Sequence, residues 1–283
     1  MRLRIATCRP LPEPDLDEEL LLTALCTHGV EARMAGWNDP AEDWDQRVPT
    51  LIRSTWDYIH AVQAFERWVA RAAAAAPLWN PARVVLQNLH KRYLLELEAR
   101  GVPIVPTALV QRGSDATLAA LCARRGWEDV VVKPAVGAGS FGTLRFQGGD
   151  LAAGERHLRA LAAERDVLVQ PYEPSVEGHG ERALVWIDGR FTHAVRKTPR
   201  FGHDPERVSE ALPIEASERA LGERALAPLV DELLYARVDV ARGVDGAPRV
   251  MELELVEPSL FLLQHPPALE RLAAGVARRL HGR

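Results

Sequence analysis

Lysine is nearly missing from this chain. Of 35 basic residues only three are lysine, Lys91, Lys133 and Lys197, and the rest are arginine. The Ala- and Arg-rich composition points to a background that replaces surface lysine by arginine. A lysine kept against that background marks a place where a compact ammonium is needed and a planar guanidinium will not serve; chance survival is the alternative. Cysteine is scarce too. Cys8, Cys26 and Cys122 are odd in number and scattered, without zinc-site spacing, which excludes a disulfide framework and fits reduced thiols in a cytoplasmic protein. No apolar run is long enough to span a bilayer, and Met1-Arg2-Leu3-Arg4 leads into a strand-like segment and not a signal peptide, so no membrane partner is expected. Excess positive charge is also lacking. A net charge of −4 and a pI near 6.2 disfavour a nucleic-acid partner.

What the chain has in quantity is apolar residues, 47% of 283 positions, enough for a large core divided over two or three subdomains. Residues 3–7 read as a buried strand. Asp15 and Glu18 stand at capping-box spacing and predict a helix through Leu20, Leu21 and Leu25 that stops at Gly29. Residues 30–37 and 50–54 read as further strands. This alternation predicts a small parallel α/β domain with its ligand face at the strand ends. At such an end, Arg53, Ser54, Thr55, Asp57 and Tyr58 offer a fork donor, hydroxyls and a carboxylate suited to a small zwitterionic substrate; a turn capped by Asp57 explains them equally well.

Helices are expected over 60–75 and 88–100, with Trp79-Asn80-Pro81 between them as a domain boundary. Lys91 then falls in a first helical turn, where the dipole favours an anion, unless it is a solvated surface lysine. Strand and helix alternate from 107 to 172. A hairpin follows over 182–186 and 190–197, turned by Asp188-Gly189. The polar segment 198–205 reads as a mobile loop over a site, and helices are expected over 217–234 and 267–280.

Residues 130–143 read VVVKPAVGAGSFGT. Three valines lead into Lys133-Pro134 and a loop with Gly137, Gly139 and Gly142. Glycines at this density let backbone N–H groups turn toward an anion, and the adjacent ammonium adds full charge. A P-loop is excluded because Gly142 is followed by Thr143 with no lysine between. The glycines match G-x-G-x-x-G, but that fingerprint must open a helix, whereas 143–146 read as a second strand before Gly148-Gly149. A redox enzyme would need the helix. In protein kinases the glycine loop precedes its lysine, and here Lys133 comes first with no HRD or DFG after it. A lysine beside a glycine-rich hairpin remains, or a plain glycine-rich surface turn.

A second hairpin spans 235–241 and 249–255. With Asp245-Gly246 as its turn, Asp239 faces Glu252 and Arg237 faces Glu254, all on one sheet face. Val238, Val240, Met251, Leu253 and Leu255 then point to the other. Directly opposed carboxylates destabilise a sheet unless a cation lies between them, and oxygen-only ligands suit Mg2+. A wet, charged hairpin face is the alternative, and Pro248 disfavours a strict two-residue loop.

On Lys91, on Lys133 with its glycine-rich hairpin, and on Asp239 opposite Glu252-Leu253-Glu254, residues 88–259 resemble the ATP-grasp ligases. They stand nearer the glutathione-synthetase branch than the biotin-carboxylase branch. The resemblance implies an α/β chain with α+β subdomains: a Rossmann-like domain over 1–82, a region with the glycine-rich lid over 83–172, and a Mg2+-binding subdomain over 173–283. ATP and Mg2+ are the implied cofactors. Lys91 and Lys133 would touch the phosphates, with Gly137, Ala138, Gly139, Ser140 and Gly142 folding over them. Gln170, Pro171, Tyr172 and Glu173 would hold adenine, Glu181 the ribose, and Asp239, Glu252 and Glu254 the metal. The family usually has Asn where Glu254 stands, which adds charge here. Arg196, Lys197 and Arg237 would neutralise the transferred phosphoryl group and hold the acyl substrate.

The implied activity is C–N ligation: a small amino-acid-like carboxylate becomes an acylphosphate, ADP leaves, and a nucleophile displaces phosphate. The short chain and the 53–58 segment also resemble the ATP-grasp enzymes of antibiotic biosynthesis that close O-ureido-D-serine into D-cycloserine. An intermolecular carboxylate–amine ligase is the alternative, and a non-catalytic nucleotide-binding regulator is the reading from another class. The resemblance leaves room for a homodimer.

Overall fold

Three four-stranded sheets carry the chain in a computed structural model that describes residues 1–148, 150–198 and 207–282. The first sheet is parallel, as the strand–helix alternation predicts. Its strands are β1 (Arg2–Thr7), β2 (Glu31–Gly36), β3 (Thr50–Ile52) and β4 (Leu78–Trp79), in the order β2-β1-β3-β4. Helices α1 (Glu18–Thr27) and α2 (Val62–Ala75) connect them, with a 3-10 turn at Tyr58–His60.

Two local expectations fail here because distant groups compete for the same atoms. Asp17, not Asp15, stands at the N-cap position of α1 but makes no side-chain cap bond, because its carboxylate accepts from Leu262 N and Leu263 N at 3.1 and 3.0 Å. The segment expected as a boundary is a strand followed by a seam. The buried Asn80 side chain donates to Tyr235 O and Leu255 O and accepts from Leu234 N, all within 2.9 Å. Asn88 makes the same kind of clamp, donating to Leu253 O and accepting from Leu255 N. The helix expected from 88 to 100 begins only at 93, as α4 (Tyr93–Ala99), and a separate helix, α3 (Ala82–Asn88), ends where it was expected to start. Lys91 lies in the turn between them, not in a first helical turn, and its N–H donates to Ala135 O at 2.7 Å.

The middle sheet is antiparallel: β5 (Ala108–Val110), β6 (Val130–Pro134), β7 (Leu144–Phe146) and β8 (Val167–Pro171), in the order β5-β8-β6-β7. Helices α5 (Leu118–Arg125) and α6 (Leu151–Ala162) pack with it around Val130, Val132, Phe146 and Val169. A strand, not a helix, follows Gly142, so the dinucleotide reading falls.

After the short α7 (Ser175–Gly178) come β9 (Glu181–Ile187), β10 (Arg190–Lys197), α8 (Ala216–Leu226), β11 (Tyr235–Arg242), β12 (Pro248–Glu254) and α9 (Pro266–Leu280). The third sheet is antiparallel in the order β10-β9-β11-β12. One face packs on α8 through Leu184, Trp186 and Val238. The other packs on α9 and the first sheet through Val185, Ile187 and Tyr235. Helix α8 stops short of the expected 234 because Pro228 lacks an N–H and disfavours helical backbone before it. The loop expected over 198–205 lies, from 199 onward, outside the described residues. Among the described residues no helix is long and apolar enough to cross a membrane.

Candidate active site

The register of β11 and β12 sets the centre of the site. Asp239 pairs with Glu252 and Arg237 with Glu254, as the hairpin arithmetic predicts. Between Asp239 and Val240 the register shifts, and toward the turn Val240 pairs with Val250. Met251 is the residue absorbed by that bulge, so it does not join Val238, Val240, Leu253 and Leu255. It packs instead beside Val105, Val131, Tyr172 and Val176.

A cavity of about 890 Å³ opens where the three sheets meet, and all three lysines of the chain converge on it. Lys133, near the end of β6, donates to Glu252 Oε1 at 2.6 Å. Lys91 lies 3.6 Å from Glu252 Oε2 and donates to Gly137 O at 2.7 Å, tying the glycine loop down. Lys197 bridges Asp239 at 2.6 Å and Glu181 at 2.5 Å. Arg237 forks onto both oxygens of Asp239 at 2.8 and 2.9 Å, reaches Glu254 at 2.5 Å, and donates to Ser259 O. Four cationic head groups thus interleave with four carboxylates.

Burial raises the pKa of every one of these carboxyls, and local charge decides which stay ionised. At Glu252 burial is outweighed by Lys133 and Lys91, which hold it at about 2. At Asp239, fully buried, Arg237 and Lys197 outweigh burial and hold the carboxyl well below the usual range. At Glu181 burial prevails over Lys197 and lifts the group to about 7. Burial also prevails over Arg237 at Glu254. At Glu257, burial and then neighbouring Glu254 push the carboxyl to about 8 against the pull of Lys91.

The glycine loop roofs one end of the cavity. Gly142 has φ +64°, and a Cβ there would sit 3.1 Å from Pro134 Cγ, so both backbone and space require glycine. Phe141 at the loop tip meets the His60 ring edge-on at 5.2 Å, joining the loop to the first sheet region. At the apolar end, Val105, Val131, Tyr172, Val176 and Met251 form a slot. The Arg145 guanidinium lies 3.4 Å over the Tyr172 ring, and Gln170 Nε2 donates to Thr107 Oγ1 at 2.9 Å.

Most residues expected in the site line this cavity: Lys91, Lys133, Gly137, Ala138, Gly139, Ser140 and Gly142 from the phosphate set, and Gln170, Pro171, Tyr172, Glu173 and Glu181 beyond them. Lys197, Arg237, Glu252 and Glu254 also line it, as do Asp57 and Tyr58. Asp239 lies under its floor. Three candidate substrate residues are elsewhere. Arg53 is buried at 3% exposure, donates to Pro258 O at 2.9 Å and lies over the Tyr235 ring. Ser54 is buried against Thr7, and Thr55 is buried as well. Arg196 is corrected too. Strand alternation turns it away from Lys197, and its stem covers Gly180 at an exposed face. The sequence reading missed Glu257 and Ser259, which line the cavity just past Glu254, and Met251; Trp56, the aromatic of the 53–58 segment, also lines it. A third carboxylate three residues beyond Glu252-Leu253-Glu254 was the available signal.

The donor set fits a hard divalent cation. Glu252 and Glu254 are partly exposed to the cavity and offer only oxygen, the chemistry Mg2+ prefers. Asp239 stands behind them with both oxygens engaged.

A family profile described as the N-terminal domain of D-cycloserine synthetase DcsG matches residues 3–80. The cycloserine biosynthesis protein DcsG of Streptomyces lavendulae is 36% identical over 282 residues, 94% of each chain. The crystal structure of D-cycloserine synthetase DcsG superposes with a TM-score of 0.90 at 35% identity, covering 99% of this chain and 100% of that one. The ATP-grasp ligase PsnB, solved with a minimal precursor, Mg and ADP, shares the fold at 19% identity, with a TM-score of 0.63 over 97% and 98% of the two chains. The chain belongs to the D-cycloserine synthetase family of ATP-grasp enzymes and is an ATP-dependent C–N ligase.

Proposed function

We propose that this ligase activates the carboxylate of O-ureido-D-serine as an acylphosphate and closes the ring on the ureido nitrogen, toward D-cycloserine. The observation that carries the chemistry is the convergence of the chain's three lysines and Arg237 on the carboxylates of β11 and β12 at one cavity. The family supports the choice of substrate.

Mg-ATP, when bound, supplies the γ-phosphoryl group. Glu252 and Glu254 would hold the metal, with Asp239 fixing Arg237 and Lys197 behind them. Lys91 and Lys133 would hold the phosphates under the loop of Gly137, Ala138, Gly139, Ser140 and Gly142. The slot of Tyr172, Val176 and Met251 would take adenine, with the backbone of Gln170, Pro171 and Glu173 along its edge, and Glu181 would reach the ribose. Because the three lysines and Arg237 are already paired with Glu181, Asp239, Glu252 and Glu254, ligand entry exchanges partners among them: phosphates take the ammonium groups and the metal takes the carboxylates.

Lys197 and Arg237 then hold the substrate carboxylate at the phosphoryl group, and the protein contributes position and positive charge. A carboxylate oxygen bonds to the γ-phosphorus and ADP leaves. The ureido nitrogen next bonds to the acyl carbon, phosphate leaves, and the nitrogen gives up its proton. The acylphosphate hydrolyses readily, which makes the glycine lid a water barrier.

The test is ADP release with Mg-ATP against a panel of small amino-acid carboxylates that includes O-ureido-D-serine, with product masses recorded. Release with O-ureido-D-serine alone and loss of one water marks ring closure; hydrolysis of the carbamoyl group by water, releasing CO2 and NH3, then gives D-cycloserine. Release only with two substrates present makes the enzyme an intermolecular ligase. Tight Mg-ATP binding with no release from any member contradicts the proposal.

A further inference from the structure

One carboxylate in the cavity differs from the rest. Glu181, Glu252 and Glu254 each touch a lysine or arginine within 2.6 Å. Glu173 reaches Arg249 at 4.0 Å, and Asp57 accepts from Trp37 Nε1 and Asn38 Nδ2. Glu257 lines the same cavity and, among the described residues, forms no ion pair. Around it stand Glu254, Arg237 and Tyr235 from the third sheet, Lys91 from the turn before α4, and Tyr58 from the 3-10 turn, whose hydroxyl hydrogen-bonds to it.

The backbone holding Glu257 is pinned from both sides. Trp56 Nε1 donates to Glu257 O at 3.1 Å, and Arg53 Nη2 donates to Pro258 O at 2.9 Å. The segment that reads in the sequence as a substrate contact thus serves as the mount for this loop. A partly buried carboxyl beside a second one, without its own cation, is costly to ionise until a cation joins it. A ligand cation restores the balance.

We propose that Glu257 holds the α-ammonium group of the amino-acid substrate, and so restricts the enzyme to substrates with a free amine. The inference rests on the amino-acid ligase reading above. Ammonium and carboxylate hang from one carbon in an α-amino acid. With the ammonium at Glu257, the carboxylate is brought to nearby Arg237, where the phosphoryl group is to be received.

The test compares wild type with Glu257→Gln, using O-ureido-D-serine and its analogue with hydrogen in place of the amino group. KM for ATP and the melting temperature are measured alongside. Wild type is expected to favour the amine-bearing substrate by about 100-fold in kcat/KM. In Glu257→Gln the KM for that substrate rises by about 100-fold, the preference shrinks to about threefold, and the KM for ATP stays within about threefold. Glu257→Asp keeps the charge and should keep the preference, which answers a poorly folding glutamine variant. Equal losses on both substrates, or a change confined to the KM for ATP, overturn the proposal. Wild type that releases no ADP with any amino acid overturns the ligase reading itself, and that failure is visible before any variant is made.

Discussion

Lys133 Nζ lies 2.6 Å from Glu252 Oε1, across 119 residues of chain, and joins the middle sheet to the edge strand of the third. Lys133 keeps Glu252 charged: it is the largest force opposing burial there. The contact also places an ammonium and a carboxylate side by side at the cavity wall.

Lys133→Ala removes that ammonium. ADP release with the true substrate is expected to fall by about 100- to 1,000-fold, with far-ultraviolet circular dichroism unchanged. Retained turnover would move the phosphate site away from β6.

Glu252→Gln keeps the shape and removes an anionic oxygen ligand. The Mg2+ concentration for half-maximal activity should rise about tenfold or more. An unaltered Mg2+ titration would place the metal elsewhere.

The pH dependence of stability has a definite sign. Burial raises Glu257 from 4.5 to about 8. Its contribution is full below the unfolded value and is lost as pH rises through the folded one. The melting temperature of the ligand-free protein should therefore decline between about pH 5 and 8, and Glu257→Gln should flatten that slope. Glu252 acts oppositely, since its depressed pKa contributes stability that disappears only as pH falls toward about 2. An identical slope in wild type and Glu257→Gln would contradict the assignment.

Arg53→Ala leaves Pro258 O without its donor and opens space beside Tyr235. The expected outcome is a melting temperature lowered by several degrees, about 1–3 kcal/mol of stability. A normal melting temperature with a raised substrate KM would return Arg53 to the site.

Much of the site is legible because its patterns are local. Period-two alternation and a turn place Asp239 against Glu252, and β11 and β12 keep that pairing. The Lys133 strand, the glycine loop and the returning strand follow from valines, glycines and their order. The bulge at Met251 was not legible, since it swaps one side chain between faces without any local signature. Arg53 was misplaced and Glu257 missed for a related reason. Residues 53–56 carry side chains suited to a ligand, but the nearest acceptors after folding are the carbonyls of 257 and 258.

The sequence by itself determined the strand and helix types, the charge-bearing hairpin and the glycine lid, because each depends on neighbours within a few residues. Tertiary structure alone decided which charges meet and which remain without a partner. Burial and pairing are set by segments far apart in the chain: Lys91 with Glu252, Asn88 with Leu253, Asp17 with Leu262. A carboxylate's charge state depends on which of those segments it faces in a water-poor cavity, and no pattern along the chain contains that distance.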